Sequence, residues 1–311
     1  MTSLSRHLQD YLELRRRLGF KLAKHGQVLP HFVRFAQRER AAYVTTDLAL
    51  RWATQPTKST TDWHAARMSM ARKFAAYLSA YDARTEVPPY RLLPVYSHRR
   101  APRFYRDEDV RRLIDATRQI MTRKRLAGAT YSTLFGLLAV TGMRVGEAIG
   151  MDCKDVDLER NLLTLRRTKG NKSRLVPIHP STGHELGEYE KLRNQVFPRP
   201  VSSGFFISER STALDYSSTF QRFLKMARQI GLRGPKGTTG VRLHDLRHRF
   251  AIRTLEKWYS SDSNAEQRLP QLATYLGHGQ VRDTYWYLSA TPELLKLAIR
   301  RLQGRKGGRT A

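Results

Sequence analysis

The stretch that decides the fold begins with Val241-Arg242-Leu243-His244-Asp245-Leu246-Arg247-His248 and ends with Leu276-Gly277-His278 and Thr284-Tyr285-Trp286-Tyr287. His244 and Arg247 are three residues apart, so on a helix they share one face and can reach the same small anion. Tyr287 lies nine residues after His278, which leaves room for a turn and a short helix that returns the phenol to the same pocket. Histidines, arginines and a nucleophilic oxygen are the groups that phosphoryl transfer needs when protein cations replace a metal ion.

Two upstream stretches complete this pattern. They read Thr141-Gly142-Met143-Arg144-Val145-Gly146-Glu147 and Thr168-Lys169-Gly170-Asn171-Lys172-Ser173-Arg174-Leu175-Val176-Pro177. All three stretches together resemble the tyrosine recombinase (phage integrase) family, which combines Thr-Gly-x-Arg-x-x-Glu, a hairpin lysine, His-x-x-Arg, Leu-Gly-His and a tyrosine. The residues that match this pattern in order are Arg144, Lys169, His244, Arg247, His278 and Tyr287. The resemblance extends over residues 104–303.

The resemblance implies an enzyme that cleaves and rejoins DNA without a cofactor or a metal ion. Arg144 and Arg247 would bind the scissile phosphate, and Tyr287 would attack phosphorus to form a 3′-phosphotyrosyl link. His244 is the first candidate for the base that accepts the tyrosine proton, and His278 would be a second hydrogen-bond donor.

The resemblance also implies a general acid and a set of partners. Lys169 would protonate the departing 5′ oxygen. The family works as a tetramer on two duplexes, so the implied partners are double-stranded DNA and further copies of this chain, with related recombinases of a mobile element as additional partners.

Length and charge indicate two domains and a polyanionic partner. The chain has 311 residues, which exceeds the usual size of one domain. Its 56 lysines and arginines outnumber 27 acidic residues, giving a formal net charge of +29. Residues 1–103 carry 19 basic and 7 acidic side chains, or +12, and the remainder carries +17, so both halves are suited to nucleic acid. A ribosomal-type protein or a GC-rich genome would also explain the charge alone.

Residues 1–82 are predicted to form a four-helix domain. Apolar residues recur there at helical spacing, and Thr45 and Thr60 are signals for helix N-caps. The resemblance implies a core-binding domain that clamps DNA, although a plain helical bundle gives the same pattern. Residues 83–103 contain several prolines and arginines and predict a basic linker, which either follows the DNA backbone or serves only as a stiff spacer.

Residues 104–311 are predicted to form the α+β catalytic domain, so the whole chain is mainly α with a small antiparallel β-sheet. Lys169-Gly170-Asn171 is a turn signal between two β-prone runs, and it places Lys169 near the tip of a hairpin. Lys172 is a rival there, because hairpin-tip lysines are commonly solvated. A short strand is expected at 205–207, and helices are expected at 185–195 and 217–230.

The C-terminal residues predict one more helix and a basic tail. The apolar residues that define this helix are Leu294, Leu295, Leu297 and Ala298. In the family, such a helix docks on a neighbouring subunit.

Two residues near the deciding stretch are predicted to be structural. His248 lies about 100° around a helix from Arg247, so it is expected to pack or to cap. Tyr285 and Tyr287 are two apart and point away from each other on a helix, and the spacing from His278 selects Tyr287. No apolar run approaches the ~20 residues that cross a bilayer. Together with the lone Cys153 and the absence of a secretory signal, this predicts a cytoplasmic protein, and the family resemblance implies that it is bacterial and acts at the nucleoid.

Three other functions stay open on the sequence. A type IB topoisomerase uses the same chemistry, and it would relax supercoils without recombination. A carboxylate-dependent nuclease would need an acidic triad, and only scattered acidic residues are present. A non-catalytic DNA-binding partner within a set of recombinases is the third.

Overall fold

The computed structural model of the chain describes residues 3–57, 59–94, 103–122, 125–166, 173–261, 264–289 and 291–307. It divides into two compact units, Met1–Arg100 and Ala101–Ala311. The fold class is the predicted one, because helices dominate both units and the second contains a small antiparallel sheet.

The first unit contains four helices, as predicted. They are α1 (Ser3–Arg17), α2 (Ala23–Arg38), α3 (Thr46–Thr54) and α4 (Thr61–Leu78). The hydroxyl of Thr45 accepts from the Leu48 amide, and the hydroxyl of Thr60 accepts from the Trp63 amide, so both predicted N-caps are confirmed. Such a cap satisfies an amide that the helix leaves without a partner, and it stabilises the helix by about 1 kcal/mol.

Aromatic side chains fill the core of the first unit. The rings of Phe32 and Trp52 lie 4.9 Å apart, and both side chains are almost completely buried. Phe74 and Leu78 lie in the same core, as the sequence predicted.

The segment that follows α4 is held by the first unit. Within the predicted linker 83–103, residues 83–94 form neither helix nor strand. The amide of Glu86 donates to the carbonyl of Val44, and the carboxylate of Glu86 accepts from the amide of Thr46. Leu93 packs against the core of the helices. The domain limits themselves stay predictions, since part of 83–103 lies outside the described residues.

The second unit begins with helices around one buried helix. They are α5 (Asp107–Arg118), α6 (Leu126–Thr141) and α7 (Val145–Ile149). α6 is apolar on most of its circumference, and Leu134, Phe135, Leu137 and Leu138 are buried. A helix that is apolar all round belongs in a core. Its C-terminal end, near Gly142, lies inside the unit.

A three-stranded antiparallel sheet follows in the order β1 (Val156–Asp157), β2 (Leu162–Leu165) and β3 (Arg174–Pro177). The register pairs Leu163 with Val176 and Leu165 with Arg174. This confirms the two β-prone runs that flank the predicted turn. Lys169 and Lys172 lie outside the described residues, so their positions on the hairpin stay predictions.

Helices complete the second unit. They are α8 (Pro180–Val196), α9 (Tyr216–Gln229), α10 (Asp245–Ser260), α11 (Ala265–Leu276), α12 (Arg282–Tyr285) and α13 (Pro292–Gly307), with a 3-10 turn at Trp286–Ser289 between the last two. The strand expected at 205–207 is wrong: Phe205, Phe206 and Ile207 are fully buried, but the structure has only isolated bridges here, at Gly204 and at Ile207 itself. These residues are apolar because they are buried and not because they pair in a sheet. A short apolar run alone does not distinguish a strand from another buried segment.

The C-terminal helix α13 packs within its own unit. Leu294 is fully buried in a cluster that also contains residues of α10 and α11, and Leu297 and Ala298 pack against that cluster. Leu295 is 47% exposed. The predicted helix is therefore present, and docking on a neighbouring subunit stays a prediction.

Candidate active site

The first site arginine lies between two helices. α6 ends at Gly142, whose backbone is left-handed at φ +61, and Arg144 is then the N-cap residue of α7. The amide of Arg144 donates to Oε2 of Glu147 at 2.9 Å, and its Nη1 donates to Oε1 at 2.7 Å. Its Nη2 reaches across the unit to the carbonyl of Gly277 at 2.9 Å. The motif from Thr141 to Glu147 thus caps α7 and also directs the guanidinium of Arg144 toward the end of α11.

The second site arginine is buried. Arg247 lies in the first turns of α10 and is 3% exposed. Its Nη1 donates to the carbonyl of Gly142 at 2.9 Å, and its Nη2 donates to the carbonyl of Leu276 at 2.8 Å. Both acceptors are neutral, so these bonds orient the guanidinium without cancelling its charge. Burial, followed by the charge of Arg144, lowers the pKa of Arg247 to about 10, which still leaves it protonated at neutral pH.

A third arginine, Arg174, joins the site from the first position of β3, and the sequence analysis missed it. Its Nη2 and Nη1 donate to the two carboxylate oxygens of Glu147 at 2.8 and 3.1 Å, and its Nε donates to the carbonyl of Tyr275 at 2.9 Å. Desolvation raises the pKa of Glu147, but hydrogen bonds from Arg174 and Arg144 outweigh this effect, and the pKa lies below its ordinary value. One carboxylate thus stands between two guanidinium groups.

Gly277 ends α11 and faces this network. Its φ is +69, and a Cβ atom there would lie 2.6 Å from Nη1 of Arg174. The residue must therefore lack a side chain for two reasons, the left-handed backbone and the guanidinium beside it. The Leu-Gly-His motif is explained by these constraints as much as by chemistry.

His278 follows immediately and is fixed by α12. Its Nδ1 lies 2.7 Å from the hydroxyl of Thr284. Its ring stacks on that of Tyr287 with centroids 6.2 Å apart and an angle of 18° between the planes. The predicted pair of His278 and Tyr287 is therefore brought together.

Tyr287 lies in the 3-10 turn and is 2% exposed, whereas Tyr285 is 51% exposed. Tyr287 turns inward toward α10, and its role as the nucleophile stays a prediction. Its hydroxyl lies 3.1 Å from Nδ1 of His248. His248 was expected only to pack or to cap, so this contact is a feature that the sequence analysis missed.

His244 is the N-cap residue of α10, and its ring meets that of His248 edge to face at 4.9 Å. The side chain of His244 is exposed to solvent, although protein atoms and the cationic arginines lie close to its ring. Desolvation, followed by the charge of Arg247, lowers the pKa of His244 to about 4. Contact with water limits the size of this shift, but its direction keeps His244 neutral at pH 7.

Five of the six predicted residues thus converge. Arg144 and Arg247 donate to consecutive carbonyls at the end of α11, His278 follows those carbonyls, and its ring stacks on Tyr287. The ring of His244 contacts that of His248, whose Nδ1 in turn lies near the hydroxyl of Tyr287. The sixth, Lys169, lies outside the described residues. Among the described residues, no group of His, Cys, Asp and Glu has the arrangement of a metal site.

The sequence matches the description "Phage integrase family" over residues 103–293. The chain is 43% identical over 314 residues to y4rB of Sinorhizobium fredii, which is named as an integrase/recombinase, and the match covers 100% of both chains. It is 31% identical over 208 residues to tyrosine recombinase XerA of Thermococcus kodakarensis, covering 67% of this chain and 65% of that protein.

Solved structures share the fold. The Tn1549 transposon integrase, in complex with transposon right end DNA, matches with a TM-score of 0.66 and 16% identity over 97% of this chain and 100% of that one. A XerA recombinase matches with a TM-score of 0.52 and 22% identity over 96% of each chain. The fold, the sequence relatives and the site together define a tyrosine-type site-specific recombinase. The chain belongs to the phage integrase family.

None of the described helices is long and apolar enough to span a membrane.

We expect Gly277→Ala to destabilise the protein by about 1–3 kcal/mol, because it combines left-handed strain with a clash against Arg174. Gly279→Ala is the matched control, since a Cβ atom there meets nothing within 4 Å. Denaturant unfolding monitored by circular dichroism compares the two variants. Equal midpoints for both would contradict this explanation of the Leu-Gly-His motif.

We expect stability to decrease as the pH falls from 6.5 toward 4. Desolvation, followed by the charge of His244, lowers the pKa of His248 from 6.5 to about 4, so in this window the unfolded chain binds a proton that the folded chain does not. For His248 the loss is on the order of 2 kcal/mol at pH 5.

The measurement is the free energy of unfolding of wild type and His248→Asn between pH 4.5 and 7.5. Asparagine does not titrate in this range, so the variant should show the shallower dependence. Parallel curves would show that His248 keeps an ordinary pKa in the folded protein.

Proposed function

We propose that this recombinase cleaves and rejoins DNA strands through a covalent 3′-phosphotyrosyl link at Tyr287. The observation that carries the proposal is the convergence of Arg144 and Arg247 on the end of α11, beside the buried Tyr287. A nucleophilic oxygen next to two cations fits a phosphodiester substrate, whose non-bridging oxygens carry the negative charge.

The charge of the chain supports duplex DNA as the substrate. The formal net charge is +29, and both units contribute to it. In the first unit, α2, α3 and α4 line an open cleft of about 840 Å³ that contains Arg34, Arg38 and Arg67 and, among its lining residues, no carboxylate. Such a surface suits a phosphate backbone, and binding to it should weaken steeply with added salt. The related Tn1549 integrase was solved in complex with DNA.

In this proposal the two arginines replace a metal ion. Arg144 and Arg247 donate forked, charge-assisted hydrogen bonds to the non-bridging oxygens, and these bonds strengthen as charge develops in the transition state. Arg174 contributes indirectly: it shares the charge of Glu147, so that Arg144 is not fully neutralised by its own capping partner.

Tyr287 attacks phosphorus, the bond from its oxygen to phosphorus forms, and the bond to the 5′ oxygen breaks. His244 and His278 lie beside the reacting groups, where they can donate to the phosphate or accept the phenolic proton. Lys169 supplies the proton that the 5′ oxygen takes. The phosphotyrosyl link retains the energy of the broken bond, so rejoining needs no ATP.

The working assembly that we propose is a tetramer on two duplexes, acting in the bacterial cytoplasm at the nucleoid on the ends of a mobile element. The relatives named as integrases and the likeness to a transposon integrase support this context. The exposed side of α13, which includes Leu295 and Ile299, is available for contacts between subunits.

We expect a nicked suicide DNA substrate to trap the protein through Tyr287. Tyr287→Phe removes the nucleophilic oxygen and should give no adduct, whereas the matched variant Tyr285→Phe should form adduct at nearly the wild-type rate because Tyr285 is exposed. Denaturing gel electrophoresis with peptide mapping detects the link. An adduct at Tyr285 would refute the assignment, and supercoil relaxation without recombination would indicate a topoisomerase.

We expect Lys169→Ala to cleave ordinary DNA more slowly by ~10² or more, because the 5′ alkoxide is a poor leaving group without a proton donor. Replacing the 5′ oxygen by sulfur gives a thiolate whose conjugate acid has a pKa nearer ~8.5, so little protonation is needed and the variant should recover. Arg144→Ala should not recover on the same DNA. Selective rescue of Lys172→Ala instead would show that Lys172, and not Lys169, is the acid.

A further inference from the structure

His248 lies on α10 one helical turn after His244, and it makes the contact that the nucleophile requires. Its Nδ1 lies 3.1 Å from the hydroxyl oxygen of Tyr287, within hydrogen-bonding distance. The two ring centroids are 5.6 Å apart, and the ring of Trp286 also contacts the imidazole, with centroids 5.4 Å apart. Packing against two aromatic rings fixes the orientation of the imidazole as well as its position.

We propose that His248 is a catalytic residue, the base that accepts the proton of Tyr287 as the phenol attacks the scissile phosphate. This inference rests on the proposed function. It moves the role of base from His244, which the sequence suggested, to the histidine that touches the reacting oxygen.

The protonation state of His248 suits an acceptor. Desolvation and the charge of His244 lower the pKa of His248, Asp245 raises it, and Arg242 and Arg247 lower it further, to about 4. The imidazole is therefore neutral at neutral pH. In the tautomer with its proton on Nε2, the free electron pair of Nδ1 can accept from the phenol.

The same low basicity disfavours proton transfer before DNA binds. An ordinary phenol has a pKa near ~10, far above the lowered pKa of His248, so the proton stays on the phenol before DNA binds. The proton moves only as the new bond to phosphorus withdraws electrons from the phenolic oxygen, and the negative phosphate then stabilises the imidazolium. Attack and proton transfer are thus one step.

The step balances. The oxygen of Tyr287 loses its proton to Nδ1 of His248 and forms the bond to phosphorus, while the bond from phosphorus to the 5′ oxygen breaks. That oxygen takes a proton from the general acid. In the reverse step the 5′ hydroxyl attacks and gives its proton to the conjugate base of the general acid, while the bond from phosphorus to the phenolic oxygen breaks and the imidazolium of His248 returns its proton to the departing phenol.

The test compares His248→Asn and His248→Ala with wild type. Asparagine can place an amide oxygen near the position of Nδ1, so it can retain a hydrogen bond from the phenol but cannot take up its proton. His244→Asn tests the other candidate base on the same helix. The measurement is the single-turnover rate of adduct formation at Tyr287, on ordinary DNA and on DNA with sulfur at the 5′ leaving position, from pH 6 to 9.

At pH 7 we expect both His248 variants to be slower by ~10² on both substrates, because sulfur assists the leaving group and not the nucleophile. Their rates should rise about tenfold per pH unit, since the phenol must then ionise before it attacks, while the wild-type rate stays nearly flat. His244→Asn should keep the flat profile. DNA affinity and unfolding midpoint, measured for each variant, identify any loss caused by misfolding.

The inference is overturned if His248→Asn cleaves within threefold of the wild-type rate at pH 7, or if the steep pH dependence appears in His244→Asn instead. A variant that misfolds is replaced by His248→Gln, which is judged by the same pH profile. If wild type itself forms no adduct at Tyr287, the proposed function fails first. An adduct that forms at equal rates with and without His248 refutes only the role of this histidine.

Discussion

The arrangement of the second unit depends on one buried guanidinium. Arg247 donates to the carbonyl of Gly142 at the end of α6 and to that of Leu276 at the end of α11, while its own backbone belongs to α10. A buried cation costs several kcal/mol unless its donors are satisfied. Carbonyls at helix C-termini are suitable acceptors, because they lack partners within the helix and carry partial negative charge. The ends of three helices are therefore held together by Arg247, the group that we propose binds the scissile phosphate.

A second constraint is electrostatic balance around Glu147. If this carboxylate paired with Arg144 alone, the two charges would largely cancel and the phosphate would compete with an internal anion. Arg174 changes the balance, since it contacts both carboxylate oxygens and is only 10% exposed at its side chain. Two guanidinium groups then share one negative charge, and a net positive charge remains. The first residue of β3 thus influences the charge around Arg144, which we propose binds phosphate.

The sequence predicted features that local chemistry determines. Helical periodicity, the hydroxyls of Thr45 and Thr60 and the β-prone runs around the hairpin are all readable within about ten residues, and each agrees with the structure. The contacts of Arg174 and His248 were not predicted, since their partners lie 27 and 39 residues away. The prediction for His248 also considered only the helix face that carries Arg247, whereas Tyr287 contacts α10 at His248 itself. The role of Lys169 stays a prediction.

The short motifs of this chain contain residues that are needed for folding as well as residues that are proposed to carry the chemistry. Gly142 supplies a left-handed turn and an acceptor for Arg247, a Cβ atom on it would meet Phe250 at 2.5 Å, and Glu147 caps α7. None of these tasks involves bond breaking. A descendant that had lost its nucleophile would still need them in order to fold. The glycines and the glutamate therefore identify ancestry and architecture, and a search for active copies among degenerate mobile elements should be based on the tyrosine and its neighbouring histidines.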